Sequence, residues 1–219
     1  MQLALFDLDH TLLDLDSDHA WGEFLVRHGW VDADSHRAKN DQFYADYQRG
    51  ELDAVAYNEF VLEFLSQQTP DRLAQLHAQF MAEVIRPAMR PRGFEAIARH
   101  RDAGHELVVI TATNAFVTAP IVREFGVPNL IATQPEMHQG RYTGRLATEP
   151  CYQAAKLRLL HLWLAGRTVT ESWGYSDSFN DLPLLEWVTH PVTVCADRRL
   201  QAVALDRHWP LEDWRIQAP

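Results

Sequence analysis

Cysteine is scarce: only Cys151 and Cys195 occur in 219 residues, and they form neither a C-x-x-C nor a metal-ligand pair. That removes a disulfide framework, a zinc ribbon and a dithiol redox site. No apolar run approaches the ~18 residues of a membrane span. The stretch Met1–Asp7 has only a few apolar residues before its first acid, too few for a signal peptide. A reduced, cytoplasmic protein with no membrane partner is the simplest expectation. Basic residues are also in deficit, 20 against 30 acids for a net charge of −10. A phosphate-backbone binder needs a basic face to displace counterions, so no nucleic acid partner is expected. No pair of the 11 histidines has metal-ligand spacing, and there is no internal repeat or low-complexity tract. What remains, 47% hydrophobic and 23% charged, is a globular composition long enough for one domain with a modest insertion.

The chain changes grammar twice. Leu3-Ala-Leu-Phe6 reads as a buried strand that stops at Asp7-Leu-Asp-His-Thr11. From about Leu15 to Ala88, segments 18–28, 35–49, 53–67 and 70–86 carry apolar and aromatic residues at helical spacing, with Thr69-Pro70-Asp71 as a cap signal. After Pro91 the pattern alternates: helix 92–103 closed by Gly104, strand 106–110, helix 115–125, strand 129–132 and a hairpin around Gln139–Gly144. Helix 152–165, strand 170–175, a short helix 181–187 and strand 191–196 follow. The expected fold is α/β, a doubly wound parallel sheet with helices on both faces. Its core would be 1–14 and 89–219, and a helical unit, 15–88, would be inserted after the first strand. Ligands in such sheets sit beyond the carboxyl ends of the strands.

The residues at those ends are chemically distinctive. Asp7 and Asp9 leave extended backbone on the same side. Two carboxylates 4 Å apart repel by about 4 kcal/mol at an effective dielectric of 20, unless a cation sits between them or one takes a proton. The second strand stops at Thr111-Ala-Thr-Asn114, where a hydroxyl and nearby amides suit a phosphate oxygen. Lys156 lies near the start of the 152–165 helix, and strand 170–175 runs into Asp177-Ser-Phe-Asn-Asp181. Each has an ordinary structural alternative. Acids complement helix N-termini, Thr and Asn cap helices, lysines are solvated, and Asn180 or Asp181 would cap the next helix. Together they supply a carboxylate pair, a hydroxyl, an ammonium and a second carboxylate pair. Hard oxygen ligands without Cys or His point to Mg²⁺ rather than zinc.

In this order, Asp7-Leu-Asp-His-Thr11, Thr111, Lys156 and Gly174-Tyr-Ser-Asp177-Ser-Phe-Asn-Asp181 resemble the four motifs of the haloacid dehalogenase superfamily of phosphohydrolases. The inserted helical unit resembles that superfamily's C1-type cap, in subfamily IB, the branch containing phosphoserine phosphatases. The resemblance implies a Rossmann-like core and an Mg²⁺-dependent phosphatase for a small-molecule phosphate ester. Asp7 would be the nucleophile and would carry an aspartyl-phosphate, and Asp9 would be the general acid and then base. Asp7, Asp177 and the Asp9 carbonyl would hold the metal. Thr111, Ala112, Asn114 and Lys156 would surround the phosphoryl group, backed by Asn180 and Asp181. Asp9 separates phosphatases from dehalogenases of the superfamily, which lack that acid. A phosphotransferase or mutase on the same scaffold, or a non-catalytic binding protein that kept the fold, stays open as an alternative.

Specificity is expected in the inserted unit, where Asp14, Asp16, Asp18, His19 and Glu23 form an acidic patch. If 16–23 is helical, Asp16, His19 and Glu23 share a face, and His10 lies beside the site or faces substrate. Acids at a helix N-terminus also have a dipole explanation. Phosphoserine phosphatases are similar in placing an acid nine residues after the nucleophile, the position of Asp16, toward the substrate amine. They also use a cap arginine for the carboxylate, yet no Lys or Arg occurs between Arg49 and Arg72. An amine-bearing phosphate without a carboxylate, such as histidinol phosphate, fits better than phosphoserine. Arg90 and Arg92 read as a stiff, solvated connection. Residues 15–88 hold thirteen acids against six bases and the remainder seventeen against fourteen, so most of the charge lies in the specificity unit.

Overall fold

The computed structural model describes residues 1–216. Leu3, Ala4, Leu5 and Phe6 are all fully buried, and they form the central strand β1 (Gln2–Phe6). It pairs in parallel with β2 (Glu106–Asn114) on one side and β6 (Glu171–Ser176) on the other. With β3 (Asn129–Thr133), β7 (His190–Val194) and the two-residue β8 (Leu211–Glu212), the order is β3-β2-β1-β6-β7-β8. Every pairing in this sheet is parallel. The doubly wound α/β arrangement is therefore present. Phe6 is in register with both Val109 and Tyr175, so Asp7 emerges between β2 and β6.

The first four helices after β1 are α1 (Ser17–Arg27), α2 (Ala33–Arg49), α3 (Ala54–Gln67) and α4 (Pro70–Phe80). Asp16, Asp32, Asp53 and Thr69 cap them through side-chain oxygens, satisfying N–H groups that a first turn leaves free. The helix expected over 70–86 is interrupted, because α4 passes through a π-turn at Met81–Ile85 into the single turn α5 (Arg86–Ala88). The chain enters and leaves this unit side by side, with Asp14 N–H donating to Ala88 O at 2.8 Å and Arg90 N–H to Leu12 O at 3.0 Å. Helix α6 (Pro91–Asp102) follows, then α7 (Ala115–Glu124), α8 (Ala154–Leu164), α9 (Leu182–Trp187) and α10 (Arg198–Asp206). The antiparallel hairpin β4 (Pro135–His138) and β5 (Arg141–Leu146) turns at Gln139-Gly140, and β5 packs along α3.

Two differences from expectation concern the sheet. Strand β2 does not stop at Ile110 but runs to Asn114 through a register shift after Thr111. Helix α10, capped by Asp197, and β8 extend the sheet edge beyond the expected elements.

Trp21 ties the helices to the sheet. It is 1% exposed and packs on Phe24, Phe64 and Phe80 of the inserted helices and on Phe116 of α7. Trp21→Ala is expected to lower unfolding stability by about 3–5 kcal/mol in urea titrations, the usual cost of emptying a large aromatic site. On the same side of the sheet, His100 bonds the Tyr175 hydroxyl at 2.9 Å and His105 Nδ1 at 2.8 Å. Burial, helped by His105 and Arg99, pushes His100 down to about 4 from 6.5. The unfolded chain then takes up a proton below about pH 6.5 that the folded chain refuses. His100 should therefore make stability fall as pH drops from 6.5 to 4, and His100→Gln should flatten that slope.

Candidate functional site

The carboxyl ends of β1, β2 and β6 and the start of α8 converge on one buried cluster. Lys156, 3% exposed, places Nζ 2.7 Å from Asp7 Oδ1 and 2.7 Å from Asp181. Asp181 also accepts from Ser176 Oγ at 2.8 Å. It does not cap α9, since the cap bond in this turn comes from Ser178, which accepts from Asn180 N–H. Thr11 Oγ1 lies 3.0 Å from Asp177 Oδ1 and 3.4 Å from Asp7 Oδ2, and it accepts the Asp177 N–H at 3.0 Å. One hydroxyl thus spaces the two carboxylates. Helix α8 starts from Gln153 at φ 50°, a left-handed value that favours glycine. The Gln153 side chain bonds Gly50 O and Asn180, each at 3.3 Å.

Asp9 stands apart from that pair. Its carboxylate accepts from Ser17 N–H at 2.8 Å and from Thr113 Oγ1 at 2.7 Å. Burial, reinforced by Asp16, pushes the Asp9 carboxyl up to about 7. Burial likewise raises Asp7 to about 7, with Lys156 pulling the other way. Asp177 is held well above the carboxylate range by burial, then by Asp7 and Asp181. Two carboxyls, Asp7 and Asp181, engage the single ammonium of Lys156, and the Asp177 carboxyl adds a third negative group beside them. Among the described residues no three His, Cys, Asp or Glu side chains form a ready-made metal cluster. Two side chains, Asp7 and Asp177, with a backbone carbonyl are a donor set that suits a hard dication. The surplus of negative charge over Lys156 fits the same ion.

Above this floor opens a cleft of about 600 Å³, mouth included, lined by Asp7, Asp9, Thr111, Ala112 and Thr113 below and by α1, α2 and α3 above. Thr111 is buried and its Oγ1 accepts Thr113 N–H at 3.2 Å. Asn114 faces elsewhere, capping α7 through Val117 N–H and donating to Asp18 Oδ1 at 3.2 Å.

The structure separates the acidic patch. Asp16 is the N-cap of α1, outside the helix, and accepts from Asp18 and His19 N–H groups. It lines the cleft, as does His19, whose Nε2 is engaged by Asp41 at 3.1 Å. Glu23 does not share that face toward the cleft. It lies a turn beyond His19 on α1 and pairs with Arg37 at the surface. Asp18, 4% exposed, lines the cleft in its place. His10 bonds the Tyr44 hydroxyl at 3.3 Å and borders a second opening beside Asp177. Asn180 reaches Tyr47 O at 3.4 Å and Gln153, a contact between α2 and the core and not with Asp7. Arg90 is not a solvated connector. It is 3% exposed and donates to His10 O, Thr11 O and Asp14, fastening the loop after β1. Arg92, at the surface, bonds Asp213 O.

Thr11, Thr113, Ser176 and Asn58 were not singled out from the sequence. Thr113 stands two residues from Thr111 on β2, where alternation puts side chains on one side of the strand, whereas Thr11 lies in the turn after β1.

A buried ammonium between two carboxylates at the ends of parallel strands, with a further acid at the mouth of a cleft, suits chemistry on a phosphoryl group. The chain belongs to the haloacid dehalogenase-like hydrolases, whose family model matches residues 4–186, and it is a phosphatase of that family. It is 43% identical to a histidinol-phosphatase of Neisseria meningitidis serogroup C, over 97% of this chain and 99% of that one. It is 29% identical to phosphoserine phosphatase SerB1 of Mycobacterium tuberculosis, over 97% of this chain and 71% of that one. A solved protein of unknown function from Bordetella pertussis superposes with a TM-score of 0.91 at 45% identity, covering 98% and 99% of the two chains. A substrate-bound phosphoserine phosphatase shares the fold, with a TM-score of 0.68 at 15% identity over 91% and 89%.

Removing the central cation should be severe. Lys156→Met leaves buried carboxyls without a partner and is expected to cost about 3–5 kcal/mol in urea unfolding, the scale for breaking one side of a buried ion pair. A change below about 1 kcal/mol would contradict this charge balance.

Proposed function

We propose that the chain hydrolyses the phosphate monoester of a small amino alcohol, with histidinol phosphate as its substrate. One observation carries the choice: the cleft above Asp7 is lined by Asp16 and Asp18 and by no Lys or Arg. A substrate carboxylate would meet two acids there, whereas a cationic leaving group would be attracted by them. The name of the Neisseria relative, identical at 43% of positions over nearly the full length of both chains, supports the same substrate.

In this reading Asp7 attacks phosphorus in line and becomes an aspartyl-phosphate. Lys156, anchored by Asp181, holds the Asp7 carboxylate in position and offers positive charge to the phosphoryl oxygens. Asp9, titrating near neutrality, gives its proton to the leaving alkoxide oxygen and later takes one from the attacking water. Ser17 and Thr113 fix the direction of that carboxyl. Thr111 and the backbone at Ala112 border the phosphoryl oxygens. Mg²⁺, held by Asp7, Asp177 and the Asp9 carbonyl, would supply electrostatic stabilisation of the transferring group. Residues 15–88 act as the cap that screens the cleft from bulk water.

Wild type should hydrolyse histidinol phosphate with a kcat/KM at least ~10-fold above that for phosphoserine, and chelation of divalent cations should abolish turnover. Asp7→Asn should lose about 10³-fold or more in kcat while keeping its fold. Preference for phosphoserine would overturn the substrate. Turnover that rises with added acceptor alcohol and is slow in water alone would point to a phosphotransferase instead.

A further inference from the structure

Two polar groups in the cleft are not used by the chemistry described above. Asp18, on the first turn of α1, is buried and has no cation beside it. Its carboxylate accepts from Asn114 Nδ2 at 3.2 Å, and the Tyr57 hydroxyl also faces it. Burial, then Asp16 and Asp9, holds its carboxyl well above the usual range. Asn58, on α3, is 3% exposed, and its Nδ2 donates to Ala54 O at 2.7 Å. That assignment leaves Asn58 Oδ1 buried with no hydrogen-bond partner, although it lines the same cleft. A buried acceptor without a donor is costly, and a fold keeps one most readily where a ligand donor satisfies it.

We infer that Asp18 and the Asn58 amide oxygen form a seat for the N–H groups of a planar cationic ring on the leaving alcohol, with Phe43 and Tyr57 as its wall. The inference rests on the proposed substrate and deepens it. Asp16 adjoins Ser17, whose N–H donates to Asp9 Oδ1 at 2.8 Å, and so lies on the reacting side of the patch, within reach of an amine close to the ester. Asp18 is tied instead to Asn114, Tyr57 and the α3 side of the cleft, which suits the part of the substrate farther from phosphorus. Phe43 and Tyr57 stand edge to face with centroids 5.3 Å apart, a surface for a flat ring. A ring with two N–H groups would satisfy both the unpaired acceptor and the unpaired acid.

The test compares three esters, histidinol phosphate, 2-aminoethyl phosphate and p-nitrophenyl phosphate, with wild type, Asp18→Asn and Asn58→Leu, folding being checked by thermal melts. Asp18→Asn should lower the ratio of kcat/KM for histidinol phosphate to that for p-nitrophenyl phosphate at least ~10-fold, mainly through KM. Asn58→Leu should lower it about threefold or more. The ratio for 2-aminoethyl phosphate, which has the amine but no ring, should move less than half as far on a logarithmic scale. Equal losses on both amines would overturn the ring seat, as would ratios unchanged within twofold in both variants. Should Asp18→Asn fail to fold, Asn58→Leu decides alone, and Asn58→Asp should recover the ratio by returning an acceptor. Wild type that ignores histidinol phosphate would bring down the substrate itself, an outcome distinct from a wild type that uses it and variants that do not respond.

Discussion

The structure depends on one buried ammonium. Lys156 reaches from α8 to Asp7 at the end of β1 and to Asp181 after β6. It links three segments that lie 149 and 25 residues apart in sequence. Without a cation, carboxyls that emerge from adjacent strand ends repel at a depth where water does not screen them. With it, Asp177 can come within reach of Thr11, and Asp7 is fixed in direction. The remaining excess of negative charge is what a divalent ion and a phosphate ester would share.

Around that cluster, polar groups divide by task. Arg90 holds the loop after β1 by its carbonyls, so Asp7 and Asp9 are presented by a stiff turn. Thr113 and Ser17 set the Asp9 carboxyl, one from the sheet and one from the inserted helices. Because Asp9, the proposed general acid, is oriented by both parts, movement of the helices relative to the sheet would alter its geometry as well as access to the cleft. Trp21, packed between those same parts, gives the arrangement its apolar mortar.

Much of the site was legible because strand ends are legible. A short apolar run followed by D-x-D needs no tertiary knowledge to be placed at the carboxyl end of a central strand, and the same holds for Asp177. The inserted helices announced themselves through apolar residues at helical spacing and the cap at Thr69. Less legible was which residues of α1 meet the cleft. Asp16 and Asp18 line it, while Glu23, a turn beyond His19, pairs with Arg37. The burial of Arg90 rests on carbonyls about 80 residues away, which no local pattern encodes. Thr113 reaches Asp9 because β2 continues past Thr111 through a register shift, a feature of pairing with β3 rather than of the T-A-T-N sequence itself. The two-residue β8 is too short to carry a period.

The nucleophile is the central claim, and one measurement addresses it most directly. Acid quenching during the first turnover of histidinol phosphate, followed by tryptic digestion and mass spectrometry, reports on the peptide from Met1 to Arg27. That peptide should carry one added phosphoryl group on Asp7, appearing and decaying within the time of a turnover. Steady release of phosphate with the peptide unmodified at every quench time would contradict covalent catalysis by Asp7.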